Sequence, residues 1–565
     1  MTGVLREAIA VWLLVFATGS MPLVAADAAA HKGEKRQLVN AREVYREIKV
    51  PAGAESAVPQ YFSSFRDYQE LMLYHPKFGY YSSGRVSFTE DFETYPALLA
   101  PYFGQMIAQQ IFRMWEGMRR AGTLGREEKF TIAEFGAGNG VLAETILDYV
   151  DQQAREDREG RWREMVSQLV YVCYDRAPAL REAQLRRNAR FGRQFEARDG
   201  DATDFNRTIP AATLKGVVLS NEMLDVFGVQ KVILSENGAA AAAFVVPFLP
   251  SKNWNQLKSR LPPTLEQSIT RGNQMIRNAI LTGDPDSDVY LSREAFLEFL
   301  ESTAEWKDYV SAARAIQFHE LYLPARVIPE LAEHLQLYAP MYAAEVARSG
   351  KGVVTYINLG EGRFIRGAAQ ALKAGYVITV DYGASWDGIM ASTLPHMRTY
   401  GPGNLESVSN DLLAGLAASH ASGADGLADL AALPDASGRG NPDPYRSPTL
   451  NDITTDVNFS FLAAEGQSSG LKAVFFGPQR ALRSGTSIST RNTALQSASR
   501  EKQLHSWREF ETDPTFKVLV QQKSGTDDSY VYPESHNEAL QVNQKGLSET
   551  QRKRAAEIEQ KLRAQ

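Results

Sequence analysis

A chain of 565 residues, 44% of them hydrophobic and 10% aromatic, is long enough to fold into about three to four domain-sized units around packed cores. Its net charge of −6 offers no electrostatic footprint for a phosphate backbone, so no nucleic-acid partner is expected. The single cysteine, Cys173, excludes an intrachain disulfide, and eight histidines without a His-Glu-x-x-His or comparable cluster predict no metal site.

Residues 1–26 have Arg6 as a short basic region, an apolar stretch from Ile9 to Ala17, then Pro22 and a small-residue exit at Val24-Ala25-Ala26, the pattern of a secretory signal. Gly19 and Pro22 interrupt the apolar stretch, which is short for a membrane-spanning helix. A cleaved signal is favoured over an uncleaved anchor, a mitochondrial presequence or a misassigned start, so export or membrane tethering is expected, with a mitochondrial or cytoplasmic location as the alternative. No other long apolar run occurs, so no integral membrane domain is expected beyond such an anchor. Residues 36–125 mix amphipathic stretches with the turn-rich "HPKFGYYSSGRVSFTEDFETYP" and read as an amino-terminal, substrate-side region.

Over residues 126–235 strands and helices alternate: "FTIAEF", "VLAETILDYVDQQ", "LVYVCYD", "PALREAQLRRNARF", "GVVLSNE". That alternation predicts an α/β fold, a parallel sheet with helices on both faces. Residues 236–350 read as a mainly helical insertion, and 351–404 resume the core with helix "RFIRGAAQALKAG" and strand "YVITVDYG". The Gly-, Ala-, Ser- and Pro-rich 405–447 read as a flexible insertion. Residues 448–535 complete the core, and 536–565 form a charged tail whose last stretch predicts a solvated helix.

Three strand ends carry the candidate site. Gly136, Gly138 and Gly140 follow the first strand and let the chain turn with positive φ and bring N–H groups close to a ligand; a turn needed only for packing is the alternative. A dinucleotide fingerprint would read Gly-x-Gly-x-x-Gly. Here Glu134 leads a Gly-x-Gly-x-Gly run, which suits a ligand with a positive group, such as the sulfonium and amino groups of S-adenosylmethionine. Asp175, ending the next strand, lies where a carboxylate can accept both ribose hydroxyls, or is a solvated strand end. Asn221, Glu222 and Asp225 close the fourth strand, where an open sheet places its substrate crevice. They read either as a carboxylate pair facing one pocket or as an ordinary helix start.

The stretches "EFGAGNGVL", "YDRAPALREAQ", "LSNEMLDVFGVQ", "VITVDYG" and "LNDITTDVNFSFL", with "YHPKFGYYSSG" and "DFETYP" upstream, resemble the MidA-like S-adenosylmethionine-dependent methyltransferases. The resemblance runs from Arg66 to Gln522 with interruptions. It implies a Rossmann-like class I methyltransferase sheet with an amino-terminal extension and helical or irregular insertions. It also implies S-adenosyl-L-methionine as cofactor, and a protein-arginine methyltransferase with a protein substrate, because the family's mitochondrial representative dimethylates arginine on a complex I subunit. Two departures lie near the expected substrate mouth. The family's Thr-Ser-Pro-Glu is Thr94-Tyr95-Pro96-Ala97 here, and its Asp-Ala-Leu-Pro is Asp225-Val226-Phe227-Gly228.

Transfer from a sulfonium is an in-line displacement that needs the acceptor lone pair about 3–3.5 Å from the methyl carbon. Guanidinium stays protonated with a pKa above about 12, so Glu222 and Asp225 are expected to grip and orient it, with Asn221 beside them. Phe78, Tyr80 and Tyr81 read as a cover for the site or as core, and Asp381 as an acid that caps a neighbouring turn. A catalytically inactive binding or assembly module stays open as the alternative. A nicotinamide-dependent oxidoreductase is disfavoured by the glycine spacing. Oligomeric state is not readable.

Overall fold

The computed structural model describes residues 53–82, 94–281, 287–392, 395–400, 443–445, 448–488, 500–534, 537–540 and 547–564. The signal-like residues 1–26 and most of 405–447 lie outside the described residues. Strand Ser63–Ser64 (β1) leads into helix Phe65–Tyr74 (α1), and Tyr102–Arg120 (α2) precedes the alternating region. There Phe130–Phe135 (β2) is followed by Val141–Glu156 (α3), and Leu169–Asp175 (β3) by Pro178–Asn188 (α4). Phe195–Asp199 (β4) and Leu214–Asn221 (β5) complete this half. Next come Gln230–Leu234 (β6), Ala240–Leu249 (β7), Val289–Tyr290 (β8) and Gln317–Pro324 (β9), with Ala339–Ser349 (α5) after them.

The chain then returns through Val353–Ile357 (β10), Leu359–Ala371 (α6) and the long Leu372–Ala384 (β11). Met397–Tyr400 (β12), Asp452–Thr455 (β13) and Val457–Asn458 (β14) are short. Phe459–Ser468 (α7), Leu471–Pro478 (β15), Phe516–Lys523 (β16) and Glu549–Arg563 (α8) end the chain.

The main sheet runs β15-β16-β11-β5-β2-β3-β4, with β14 beside β11. Strands β4, β3, β2, β5 and β11 are mutually parallel, while β16 is antiparallel to both its neighbours. Alternation along each strand sends side chains to opposite faces. Phe130 and Ile132 therefore pack with α2 and α3, while Ala133 and Phe135 pack with Phe364, Ile365 and Ala368 of α6 on the other side. Helix α2, at the end of the 36–125 region, thus belongs to the main core through Phe103, Met106, Ile111 and Trp115.

A second sheet, ordered β1-β7-β6-β10 with β8 and β9 also on β7, holds much of residues 236–350. Most residues of that stretch are helical, but β7 and β9 are its spine, and β1, β6 and β10 join from outside it. Within 405–447, Tyr445 is buried against Phe65, Tyr68 and Phe318. The tail helix α8 is not solvated all round, because Ile558 and Leu562 bury themselves in a core with Tyr342 and Val346 of α5. Among the described residues no helix is long and apolar enough to cross a membrane.

Candidate functional site

All three predicted groups sit at the carboxyl ends of parallel strands. After β2 the chain passes Gly136, Gly138 and Gly140 at φ +71°, +52° and +82°, a conformation that residues with a Cβ rarely adopt. Two of the three glycines also answer to close neighbours. A Cβ on Gly136 would lie 2.7 Å from Met223 Cγ, and one on Gly140 would lie 2.8 Å from Asn188 Nδ2. Helix α4 braces the turn from behind, Gln184 Nε2 donating to Gly138 O at 2.9 Å and Asn188 Nδ2 to Gly140 O at 3.1 Å.

Glu134 shares a sheet face with Ile132, and Cys173 is its partner on β3. This register explains its surroundings: Oε2 accepts from the Tyr171 hydroxyl at 2.9 Å and from Cys173 Sγ at 3.5 Å. Burial pushes the Glu134 carboxyl up to about 7, with the Tyr171 and Cys173 bonds opposing. Cys173 is buried, as its apolar run suggests, and is also a donor to Glu134. Asp175 Oδ1 accepts from the Ala177 N–H at 2.9 Å and Oδ2 from Gln184 Nε2 at 3.4 Å. Burial raises this carboxyl to about 6 against those two bonds.

One cavity of about 280 Å³ joins the two halves of the site. Glu134, Gly136, Gly138 and Asp175 line one part, and Asn221 and Glu222 line another. Gly140 does not line it but starts α3, and Asp225 is buried behind Glu222. The cavity wall also contains residues that sequence reasoning passed over. Gly200 to Thr203 reach it from the end of β4, and their signal was another acid, Asp201, at a parallel strand's carboxyl edge. Arg176 closes one side, its guanidinium 3.4 Å from the Tyr74 ring centroid and 3.1 Å from Glu70 Oε2. Of the three amino-terminal aromatics only Tyr81 lines the cavity; Phe78 and Tyr80 are core.

The turn after β5 has its own geometry. Glu222 is a non-glycine residue at φ +48°, and its Oε1 accepts from Asn221 Nδ2 at 3.0 Å. It does not start a long helix: only the three-residue turn Leu224–Val226 follows. Burial and then the Asp225 carboxylate push Glu222 up to about 8. Asp225 is raised by burial, opposed by the Tyr382 hydroxyl and the Arg398 guanidinium. Asp452, on β13, is driven up to about 8 by burial and by Asp225. Arg398 is held by Asp456 and lies 4.8 Å from the Tyr382 ring centroid.

Buried oxygens Asn221 Oδ1, Asp225 Oδ1 and Asp452 Oδ1 have no hydrogen-bond partner among the described residues. Of these three residues Asn221 lines the cavity, so its Oδ1 offers that wall an acceptor costly to leave unmade. Asp381 does what a strand-end capping acid does, its Oδ2 accepting from the Met223 and Leu224 N–H groups. No group of three or more His, Cys, Asp or Glu is placed to hold a metal ion among the described residues.

Five parallel strands with an antiparallel β16 inserted before β15, and a glycine turn after the central strand, define a class I methyltransferase fold. The chain belongs to a family of S-adenosyl-L-methionine-dependent methyltransferases: the family model described as "Putative S-adenosyl-L-methionine-dependent methyltransferase" matches residues 106–477, more than half of it. This agrees with the MidA-like resemblance, and S-adenosylmethionine is the cofactor. Among solved structures, the chain is similar to a protein from Burkholderia thailandensis described as a "likely methyl transferase" and bound to S-adenosyl-homocysteine. That likeness has 18% identity, covers 87% of this chain and 98% of that one, and has a TM-score of 0.49. It is also similar to the native structure of an uncharacterized protein of the same superfamily and organism, at 16% identity, 87% and 98% coverage and a TM-score of 0.46. Comparison with curated proteins finds no match.

Proposed function

We propose that this methyltransferase acts on a protein side chain carrying a cationic nitrogen, arginine, and that Asn221, Glu222 and Asp225 form its acceptor site. The observation that carries the reading is the single cavity, lined by the glycine turn and Asp175 and also by Asn221 and Glu222. Its glycine side fits the cofactor, because Gly136 and Gly138 leave the floor free of Cβ atoms and Glu134 and Asp175 offer carboxylates to its amino and hydroxyl groups. Glu134, Gly136, Gly138 and Asp175 would hold it there, with Gly140 fixing the helix behind. Bound there, S-adenosylmethionine supplies an electrophilic methyl group.

The chain's own part is to make a guanidinium nucleophilic. Glu222, half-buried at the cavity wall, draws the delocalised positive charge toward the nitrogens that face it. Its raised affinity for a proton lets Glu222 Oε accept the proton that a newly methylated nitrogen must lose. Asp225 behind it adds the second negative charge, and the unpartnered Asn221 Oδ1 offers a further acceptor for a guanidinium N–H.

Following methyl label from the cofactor into arginine-containing peptides or a lysate tests this. Transfer by the wild type and a loss of about 10²-fold in Glu222→Gln, with cofactor affinity kept, is the expected result. Robust labelling by Glu222→Gln overturns the carboxylate role. A second reading, an inactive binding or assembly module, draws on Ala97, which lines the cavity where the family's pattern carries an acid. Tight cofactor binding with no labelling by the wild type would favour it.

A further inference from the structure

Asp381 lies on β11 where that strand runs beside the end of β5, Val380 standing opposite Asn221. Its side chain is fully buried. Oδ2 accepts two backbone N–H bonds, from Met223 at 3.1 Å and from Leu224 at 3.0 Å, and Oδ1 accepts a third, from Tyr382 at 2.9 Å. The Glu222 N–H meanwhile donates to Val380 O at 2.9 Å. Glu222 is therefore pinned on both flanks by the end of β11, and it holds φ +48°, which a residue with a long side chain keeps only when its surroundings enforce it.

The bonds to Asp381 are all N–H donors, so they favour its charged form. Burial and the Asp225 and Glu222 carboxylates raise its pKa against them. The other charged and titratable groups around this turn are Tyr382 on the same strand, Lys517 opposite Asp381 on β16, Arg398 and Tyr400 on β12, Asp452 on β13, Tyr81 beyond α1, and Tyr95. Arg398 is held by Asp456, and Lys517 by Glu538.

We infer that Asp381 is the positioning residue of the acceptor site: it locks Glu222 in its left-handed conformation toward the cavity. The inference rests on the reading of Glu222 and Asp225 as acceptor-binding carboxylates. An amide at this position keeps the size but loses the charge and turns an NH2 group toward one of the three N–H donors.

The test compares wild type, Asp381→Asn, Glu222→Gln and the double variant, measuring cofactor affinity by calorimetry and methyl transfer to an arginine-containing peptide from pH 6 to 9.5. Asp381→Asn should bind S-adenosylmethionine within about twofold of wild type and lose at least tenfold in kcat with little change in peptide KM, because Glu222 is no longer held toward the cavity. In the Glu222→Gln background it should add little. Wild-type kcat, a loss carried in KM rather than kcat, or fully additive losses each overturn the inference, the last two by reducing Asp381 to a structural cap. Asp381→Ser, which keeps one acceptor and no charge, carries the same readouts if the amide does not fold. If the wild type labels no peptide, the acceptor reading fails on its own; a crystal structure of Asp381→Asn then decides the positioning role, and Glu222 retained at positive φ overturns it.

Discussion

At the scale of single residues, the glycine turn and the two carboxylate ends make separate predictions. Gly138 at φ +52° borders the cavity, so Gly138→Val should abolish S-adenosylmethionine binding through backbone strain and lost space together, measured by calorimetry on a protein shown to be folded by circular dichroism. Asp175→Ala should weaken the cofactor by about 1–3 kcal/mol through lost charge-assisted hydrogen bonds, and wild-type affinity would move the ribose contact elsewhere. Glu222 makes a pH prediction. Its folded pKa, about 8, lies above the ordinary carboxylate value, so its contribution to stability is full below about pH 4.5 and is lost as pH rises through 8. Glu222→Gln should therefore melt close to wild type at about pH 4.5 and increasingly above it as pH rises to 9; an ordinary helix-start charge would make the variant melt below wild type at pH 9. The acids that end strands were legible because parallel-strand topology alone sends them to one edge. Asp452, Arg398 and Tyr382 were not, because nothing in their local sequence says that β12 and β13, far apart in the chain, pair with each other and lie against the Asp225 turn.

At the scale of elements, the alternating core was legible because each strand and helix there follows its own local propensity. The second sheet was hidden: Ala240–Leu249 opens with four alanines, strong helix formers, and becomes a strand because β6 and β9 flank it on both edges. The tail helix misleads in the opposite sense, since Ile558 and Leu562, four apart, are a narrow apolar stripe in a charged run. The second sheet also buries an ion pair that no periodicity reveals. Lys231 Nζ on β6 meets both Glu320 oxygens on β9 at 2.8 and 2.9 Å, while the Tyr322 and Tyr445 hydroxyls donate to the same carboxylate. Removing one partner strands the other charge in a dry place. Lys231→Met should cost about 3–5 kcal/mol in urea unfolding, and combining it with Glu320→Leu should recover most of that loss. A single variant with a wild-type midpoint would mean that the two tyrosines alone satisfy Glu320.

At the scale of the whole molecule, the cavity exists because an amino-terminal helix ties the two sheets together across it. The chain leaves the main sheet at Asn221, turns through Gly228 and enters the second sheet at Gln230, so the acceptor turn belongs to a crossing segment with little sheet pairing of its own. Helix α1 supplies the missing bonds. Gln69 Oε1 accepts from the Val229 N–H at 3.1 Å while its Nε2 donates to Ile453 O at 2.9 Å, and Glu70 Oε1 accepts from the Gly228 N–H at 3.0 Å. Glu70 Oε2 takes Arg176, which also lies over Tyr74, and the Tyr74 hydroxyl donates to Val226 O at 3.3 Å. One carboxylate thus joins the loop after β3 to the turn after β5. Glu70→Ala should leave the global melting temperature nearly unchanged, since its ion pair with Arg176 is partly exposed and worth little to folding. It should free both loops, weakening S-adenosylmethionine by roughly three- to tenfold, the scale of one net hydrogen bond, and speeding hydrogen exchange at the Gly228 amide. Glu70→Gln, which keeps an acceptor for Gly228 but loses the charge facing Arg176, should restore the exchange protection and only part of the affinity. Equal affinity in all three proteins would show that the cavity holds its shape without the clamp.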